Sequence, residues 1–181
     1  SVAAAAESIN GHKIDIIIMA TGILHSDRIK PEKSIKDINH ESFMKIFSIN
    51  AVGPALIGKY FIPLLKKDTK SVVAFLSARV GSISDNKLGG WYSYRASKSA
   101  LNQIVKNFSI ELKRTNPKAI VLALQPGTVD SNLSEPFKRN VAKGMLFTPE
   151  ESRELLLNVI ENATTSDSGN LLAYDGETIS P

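Results

Sequence analysis

Two rhythms of apolar residues alternate along the chain. Runs that are apolar at nearly every position, 14–19 (IDIIIM), 71–76 (SVVAFL), 119–124 (AIVLAL) and 171–174 (LLAY), predict strands. The first three are continuous enough to be buried on both faces of a sheet. Between them the spacing changes to that of a helix. From His40 to about Lys66 the apolar positions Phe43, Phe47, Ala51, Ile57, Phe61 and Leu65 share one face, with Glu41 early and Lys66 and Lys67 late to suit the dipole. A second long helix is predicted over 91–114, ended by Asn116 and Pro117. A third starts at Thr148, with Pro149 at its first position and Glu150 and Glu151 in its first turn, and runs to about Asn162.

Strand, helix, strand, helix, strand, helix, strand is the order of an α/β fold with a parallel sheet, the pattern of one half of a doubly wound sheet and slightly more. In such sheets ligands sit beyond the carboxyl ends of the strands. Those ends run into residues 20–22, the long polar loop 77–90 (SARVGSISDNKLGG) and 126–131 (PGTVDS), so chemistry is expected there.

Bulk properties narrow the function. A chain of 181 residues, 43% hydrophobic, fits one domain with one core. The net charge of +4 is scattered, with no basic stripe for nucleic acid. The absence of cysteine excludes disulfides and thiolate metal sites, and His12, His25 and His40 are too dispersed to suggest any other metal centre. The Ala-rich opening lacks the basic and apolar regions of a leader, and no run suggests a membrane span, so a cytoplasmic protein is expected.

Tyr94 and Lys98 stand four residues apart, which on a helix points both at the same small volume. A phenol is a poor acid or base near neutral pH, but a neighbouring ammonium favours the phenolate and brings the group toward the working range. The pair therefore suits proton exchange with a carbonyl oxygen.

The stretch 76–103 (LSARVGSISDNKLGGWYSYRASKSALNQ) resembles the catalytic segment of the short-chain dehydrogenase/reductase family, in the form found in its C-factor- and sniffer-like carbonyl reductase branch. Asn50 in SINAVGP, the PGTVDS segment and the ending SGNLLAYDGETISP match the same family in the same order. The resemblance implies the C-terminal part of a Rossmann-like doubly wound parallel sheet, and a reaction that reduces a carbonyl or oxidises an alcohol with NADP or NAD. It implies that Tyr94 exchanges the proton while Lys98 lowers the Tyr94 pKa and bonds the nicotinamide ribose. Asn50 would hold a water linking Lys98 to solvent. Gly22, Pro126, Gly127, Val129 and Ser131 would shape the nicotinamide site. A small carbonyl or alcohol substrate and a homo-oligomer built from the two long helices are likewise implied.

Three departures from the family pattern stand out. The hydroxyl that the family places after the second strand falls on Ala78, so Ser77, or else Ser82, is expected to substitute, unless the site works with Tyr94 and Lys98 alone. The NNAG that follows the first strand is here Met19-Ala20-Thr21-Gly22, without the bracing Asn. Nothing like GxxxGxG precedes Ile14, so the resemblance implies that about 70 residues in three βα units are absent from the front, and dinucleotide binding by these 181 residues alone is expected to be weak. That departure leaves two other readings beside the enzyme: a non-catalytic, C-factor-like signalling or scaffold protein, and a fragment completed by a partner chain. Arg79 and Arg95 are expected on the solvated surface, with substrate contact as the alternative, and Trp91, Tyr92 and the 137–147 region are expected to wall a substrate pocket or a dimer contact.

Overall fold

The structure of the protein, a computed structural model, describes residues 1–9 and 11–181. A short helix α1 (Val2–Glu7) precedes strand β1 (Ile16–Met19); a long loop then leads to α2 (His40–Phe47), α3 (Gly53–Phe61), β2 (Ser71–Leu76), α4 (Tyr92–Thr115) and β3 (Ala119–Gln125). After β3 come two-residue strands β4 (Thr128–Val129) and β5 (Leu146–Phe147), helix α5 (Pro149–Asn162), β6 (Leu171–Ala173) and β7 (Thr178–Ile179). β1, β2, β3 and β6 lie side by side in parallel, with β7 antiparallel on β6. The α/β class and the parallel sheet follow the sequence pattern.

The two faces of the sheet bury separate cores. On one, Val73, Phe75, Val121 and Ala123 pack against Leu101, Val105 and Leu112 of α4. On the other, Ala74, Ile120, Leu122 and Leu172 pack against Leu156, Val159 and Ile160 of α5. Strand β1 departs from the expectation of burial on both faces. Met19 enters the α4 core, but Ile16 and Ile18, in register with Val72 and Ala74, are 50% and 46% exposed. The run IDIIIM is apolar on both sides, yet α5 reaches only β2, β3 and β6, and β1 pairs along one edge.

The expected 40–66 helix is continuous to Leu64 but not uniform. Between α2 and α3 it widens into one π-helical turn, Ser48–Val52, and it closes with a 3-10 turn, Ile62–Leu64. By length and composition alone His40–Leu64 could cross a membrane, a correction to the expectation that no run could. Here it packs against α4, with Ile46, Asn50 and Ala51 buried. α4 stops where Asn116 leaves helical geometry ahead of Pro117, and the Asn116 side chain donates to the Lys66 carbonyl at 2.8 Å.

α5 begins with a capping box. Thr148 Oγ1 accepts the Glu151 N–H and the Glu151 carboxylate accepts the Thr148 N–H. One turn on, the Ser152 hydroxyl donates to the Pro126 carbonyl at 3.0 Å, so this cap also steadies the turn after β3. Thr148→Ala is expected to cost about 1 kcal/mol, seen as a fall of about 2–4 °C in thermal unfolding; an unchanged midpoint would show that the box contributes nothing.

Candidate active site

α4 carries the pair predicted from sequence. Tyr94 and Lys98 lie one turn apart on its buried face, 6% and 3% exposed. Lys98 Nζ sits 5.7 Å from the centre of the Tyr94 ring and donates to the Leu76 carbonyl, at the end of β2, at 2.8 Å. No carboxylate among the described residues lies within ion-pair distance of it. Burial therefore governs both groups. It pushes the Tyr94 phenol up to about 12 and the Lys98 ammonium down to about 8. The expected lowering of the Tyr94 pKa by Lys98 is not what this geometry gives: desolvation of the phenol dominates, and the ammonium spends a hydrogen bond on the Leu76 carbonyl.

Asn50 lies in the π-turn, fully buried. Its Oδ1 accepts the Ile23 N–H at 2.8 Å, while its Nδ2 donates to the Ile23 carbonyl at 2.8 Å and the Ser97 hydroxyl at 3.1 Å. Both side-chain N–H groups are thus used in bracing the loop after β1 against α4. The neighbouring Gly22 faces Lys98 directly, since a Cβ there would lie 3.4 Å from Lys98 Nζ and 3.6 Å from Asn50 Oδ1. A widened turn is a common way to re-aim a functional side chain within a helix.

Of the two hydroxyls expected to stand in for Ala78, neither points freely at Tyr94. Ser77 Oγ is buried at the mouth of β2 and donates to Asn102 Oδ1 at 2.6 Å. Ser82 Oγ is buried in its own turn, accepting the Asp85 N–H at 3.1 Å. Ser77 and Ala78 line the cavity described below, and Ser82 does not. The sequence reading missed Asn102, Ser97 and Gly81. A Cβ on Gly81 would lie 2.9 Å from Lys98 backbone and side-chain carbon, and its carbonyl accepts from Ser99 Oγ at 2.7 Å. The 77–90 loop can therefore lie against α4 only with glycine there.

Residues 126–131 close the site from β3. Pro126 and Gly127 turn the chain into β4, which pairs with β5, and Ser134 Oγ sits between the Val129 and Ser131 carbonyls while accepting the Ser131 N–H. Pro126, Gly127, Val129 and Ser131 line one cavity of about 980 Å³ together with Gly22, Tyr94 and Lys98. Trp91 and Phe137 wall it, their rings 5.1 Å apart, and Trp91 also meets Tyr94 edge-on at 6.2 Å. Tyr92 is outside the lining and exposed. Arg79 pairs with Asp85, and Arg95 Nε donates to the Gly89 and Gly90 carbonyls, which ties both guanidinium groups to the loop. His25 bonds the Asn132 carbonyl at 2.9 Å, joining the loop after β1 to the segment after β4.

Comparison with known proteins gives the chain's family and fold. The family model described as short chain dehydrogenase matches residues 1–142. A 1-hydroxy-2-glutathionyl-2-methyl-3-butene dehydrogenase of Rhodococcus sp. (strain AD45) is 32% identical over 173 residues, 96% of this chain and 71% of that protein. C-signal of Myxococcus xanthus is 31% identical over 147 residues, 81% of this chain and 82% of that protein. The NADPH-bound carbonyl reductase from chicken fatty liver has the same fold, with a TM-score of 0.83 at 23% identity over 99% of this chain and 68% of that one.

The buried ammonium has a measurable consequence. Between about 8 in the folded chain and its ordinary 10.5, Lys98 binds more protons in the unfolded state, so it makes stability rise with pH in that window and lose that gain as pH falls through 8. Tyr94, raised above 10.0, acts in the opposite direction only at higher pH. From pH 8 to 10 the wild type should gain up to about 2 kcal/mol relative to Lys98→Met, read by denaturant unfolding at each pH; parallel curves would refute a buried, shifted Lys98.

Proposed function

The chain belongs to the short-chain dehydrogenase family, and on that premise we propose that it interconverts a small carbonyl compound and its alcohol with NADP or NAD, Tyr94 exchanging the proton. The observation that carries this reading is the convergence, on one cavity, of a buried tyrosine, a lysine one turn away, Gly22 and the 126–131 loop. The residues present fit the nicotinamide end of such a cofactor. Gly22 leaves open the approach to Lys98 Nζ that a Cβ would fill, and Pro126, Gly127, Val129 and Ser131 border the same space. When bound, the nicotinamide supplies or takes up the hydride at the carbonyl carbon. NADP is favoured over NAD by the NADPH held in the chicken fold neighbour.

The chain's own residues do the rest. Tyr94, neutral at all ordinary pH because burial raises it to about 12, donates its proton to the substrate oxygen as that oxygen gains charge. Lys98, with a pKa near 8, is charged at neutral pH and stabilises the phenolate left behind. Asn50 keeps Gly22 opposite Lys98 through the Ile23 backbone. Ser77 contributes through its bond to Asn102, which fixes the end of β2 beside Lys98. The oligomer is proposed to use α2, the π-turn, α3 and α4, which expose Met44, Val52, Leu56 and Ile110. A cytoplasmic location goes with this reading. A second reading, a non-catalytic signalling or scaffold role, has the likeness to C-signal in its favour.

Two experiments test these proposals. Tyr94→Phe removes one buried hydroxyl and should cut carbonyl reduction by NADPH at least roughly 100-fold; in the wild type, reduction should be flat across neutral pH while alcohol oxidation, which needs the phenolate, climbs with each unit of alkalinity. Retention of more than about a tenth of the activity would remove Tyr94 from the reaction, and a wild type that binds NADPH yet is inert toward a broad carbonyl panel would favour the second reading. Sedimentation at micromolar concentration should show a dimer, and a monomer would reject the helix-face assembly.

A further inference from the structure

The first turn of α4 carries Tyr94, and it starts from a conformation that side chains seldom adopt. Gly89, Gly90 and Trp91 have φ of 65°, 64° and 50°, three successive left-handed residues. Trp91 offers no side-chain cap to the N–H groups that follow it. The cap comes from 61 residues earlier in the chain. Glu32, in the loop after β1, is only 3% exposed. Its carboxylate Oε2 accepts the Ser93 N–H at 3.4 Å and its carbonyl accepts the Trp91 N–H. Oε1 of the same carboxylate and the hydroxyl of Ser93 are both buried without a protein partner.

A carboxylate is rarely buried without a cation. Here its place at the positive end of a 24-residue helix gives the reason. The loop is built to keep it there. Leu24 and Ile29 are buried before it, and just after it the Lys33 and Ser34 N–H groups converge on the Asp37 carboxylate at 3.0 and 2.9 Å. Gly90 fits closely over it, since a Cβ there would lie 3.2 Å from the Glu32 carbonyl. From the other side Arg95 holds the Gly89 and Gly90 carbonyls.

We propose that Glu32 is a positioning residue for the Tyr94 reaction: by anchoring residues 89–93 from behind, it sets the phenol over the cavity and turns Trp91 into the wall between Tyr94 and Phe137. The same anchor couples the loop that presents Gly22 to the helix that presents Tyr94 and Lys98. The proposal rests on the oxidoreductase reading above for its catalytic consequence, but the anchor itself can be read without any turnover, because Trp91 is the chain's one tryptophan.

The test uses the full-length protein with Glu32→Ala, Glu32→Gln and Tyr94→Phe, measuring NADPH-dependent carbonyl reduction, Trp91 emission and its quenching by acrylamide. Glu32→Ala should lower kcat roughly 10- to 100-fold while the KM for NADPH stays within about threefold. Its Trp91 emission should move to longer wavelength and become more quenchable. Glu32→Gln, whose amide oxygen still accepts the Ser93 N–H, should recover most of kcat and the wild-type emission even if the alanine variant folds poorly. Tyr94→Phe should lose turnover with Trp91 emission unmoved. A wild-type kcat in Glu32→Ala, a lost kcat with unmoved emission, or a glutamine variant as impaired as the alanine one would each overturn the positioning role. A wild type that binds NADPH and is still inactive would overturn the oxidoreductase reading and the catalytic role with it, and is told apart by the Trp91 signal of Glu32→Ala, which still moves if the anchor exists.

Discussion

An ammonium group buried without a carboxylate is the constraint around which the site is arranged. Lys98 is 3% exposed and its hydrogen bond goes to the carbonyl of Leu76, the last residue of β2. Desolvation of such a charge is costly, and it disfavours the fold until something offsets it. The offset here is geometric. β2 ends at the position where its final carbonyl can meet Nζ, and the chain passes close to Lys98 on both flanks. Those flanks are Gly22 and Gly81, the two positions where an added Cβ would meet Lys98. Asn50 then fixes one flank and Ser99 the other, through Ile23 and through the Gly81 carbonyl.

The strands and helices were legible because their period depends on local sequence. Ser71–Leu76 and Pro149–Asn162 have the bounds that apolar run and capping box imply. What failed depended on partners distant in sequence. IDIIIM looks the same whether one face or two are covered, and only the reach of α5 decides that Ile16 and Ile18 are exposed. The π-turn at Ser48–Val52 adds a residue to a helix without disturbing its apolar stripe, so nothing in the spacing announces it. β4 and β5 are two residues each, too short to show an alternation.

The candidate site divides along the same line. Tyr94, Lys98, Asn50, Gly22 and the 126–131 loop were found because they sit in recognisable local motifs. Ser77 was expected to face a substrate, and its partner Asn102, 25 residues away, lies within the 76–103 stretch but carries no role that local spacing could assign. Glu32 carries no motif at all. Its only advance signal was an acidic residue in a loop after the first strand, and its meaning appears when the topology brings that loop to the start of α4.

These features bear on the direction of the chemistry. With Ala at position 78 and the Ser77 proton engaged by Asn102, neither position after β2 offers a free hydroxyl proton beside Tyr94. On the proposed reading a substrate oxygen then takes both its hydrogen bond and its proton from one group. A phenol held neutral by burial is in the correct state to give a proton and in the wrong state to take one. On that reading Lys98 relieves this only after transfer, when a phenolate exists for its charge to stabilise. On the proposed reading a site so built favours carbonyl reduction near neutral pH, and alcohol oxidation must first supply the free energy to deprotonate Tyr94.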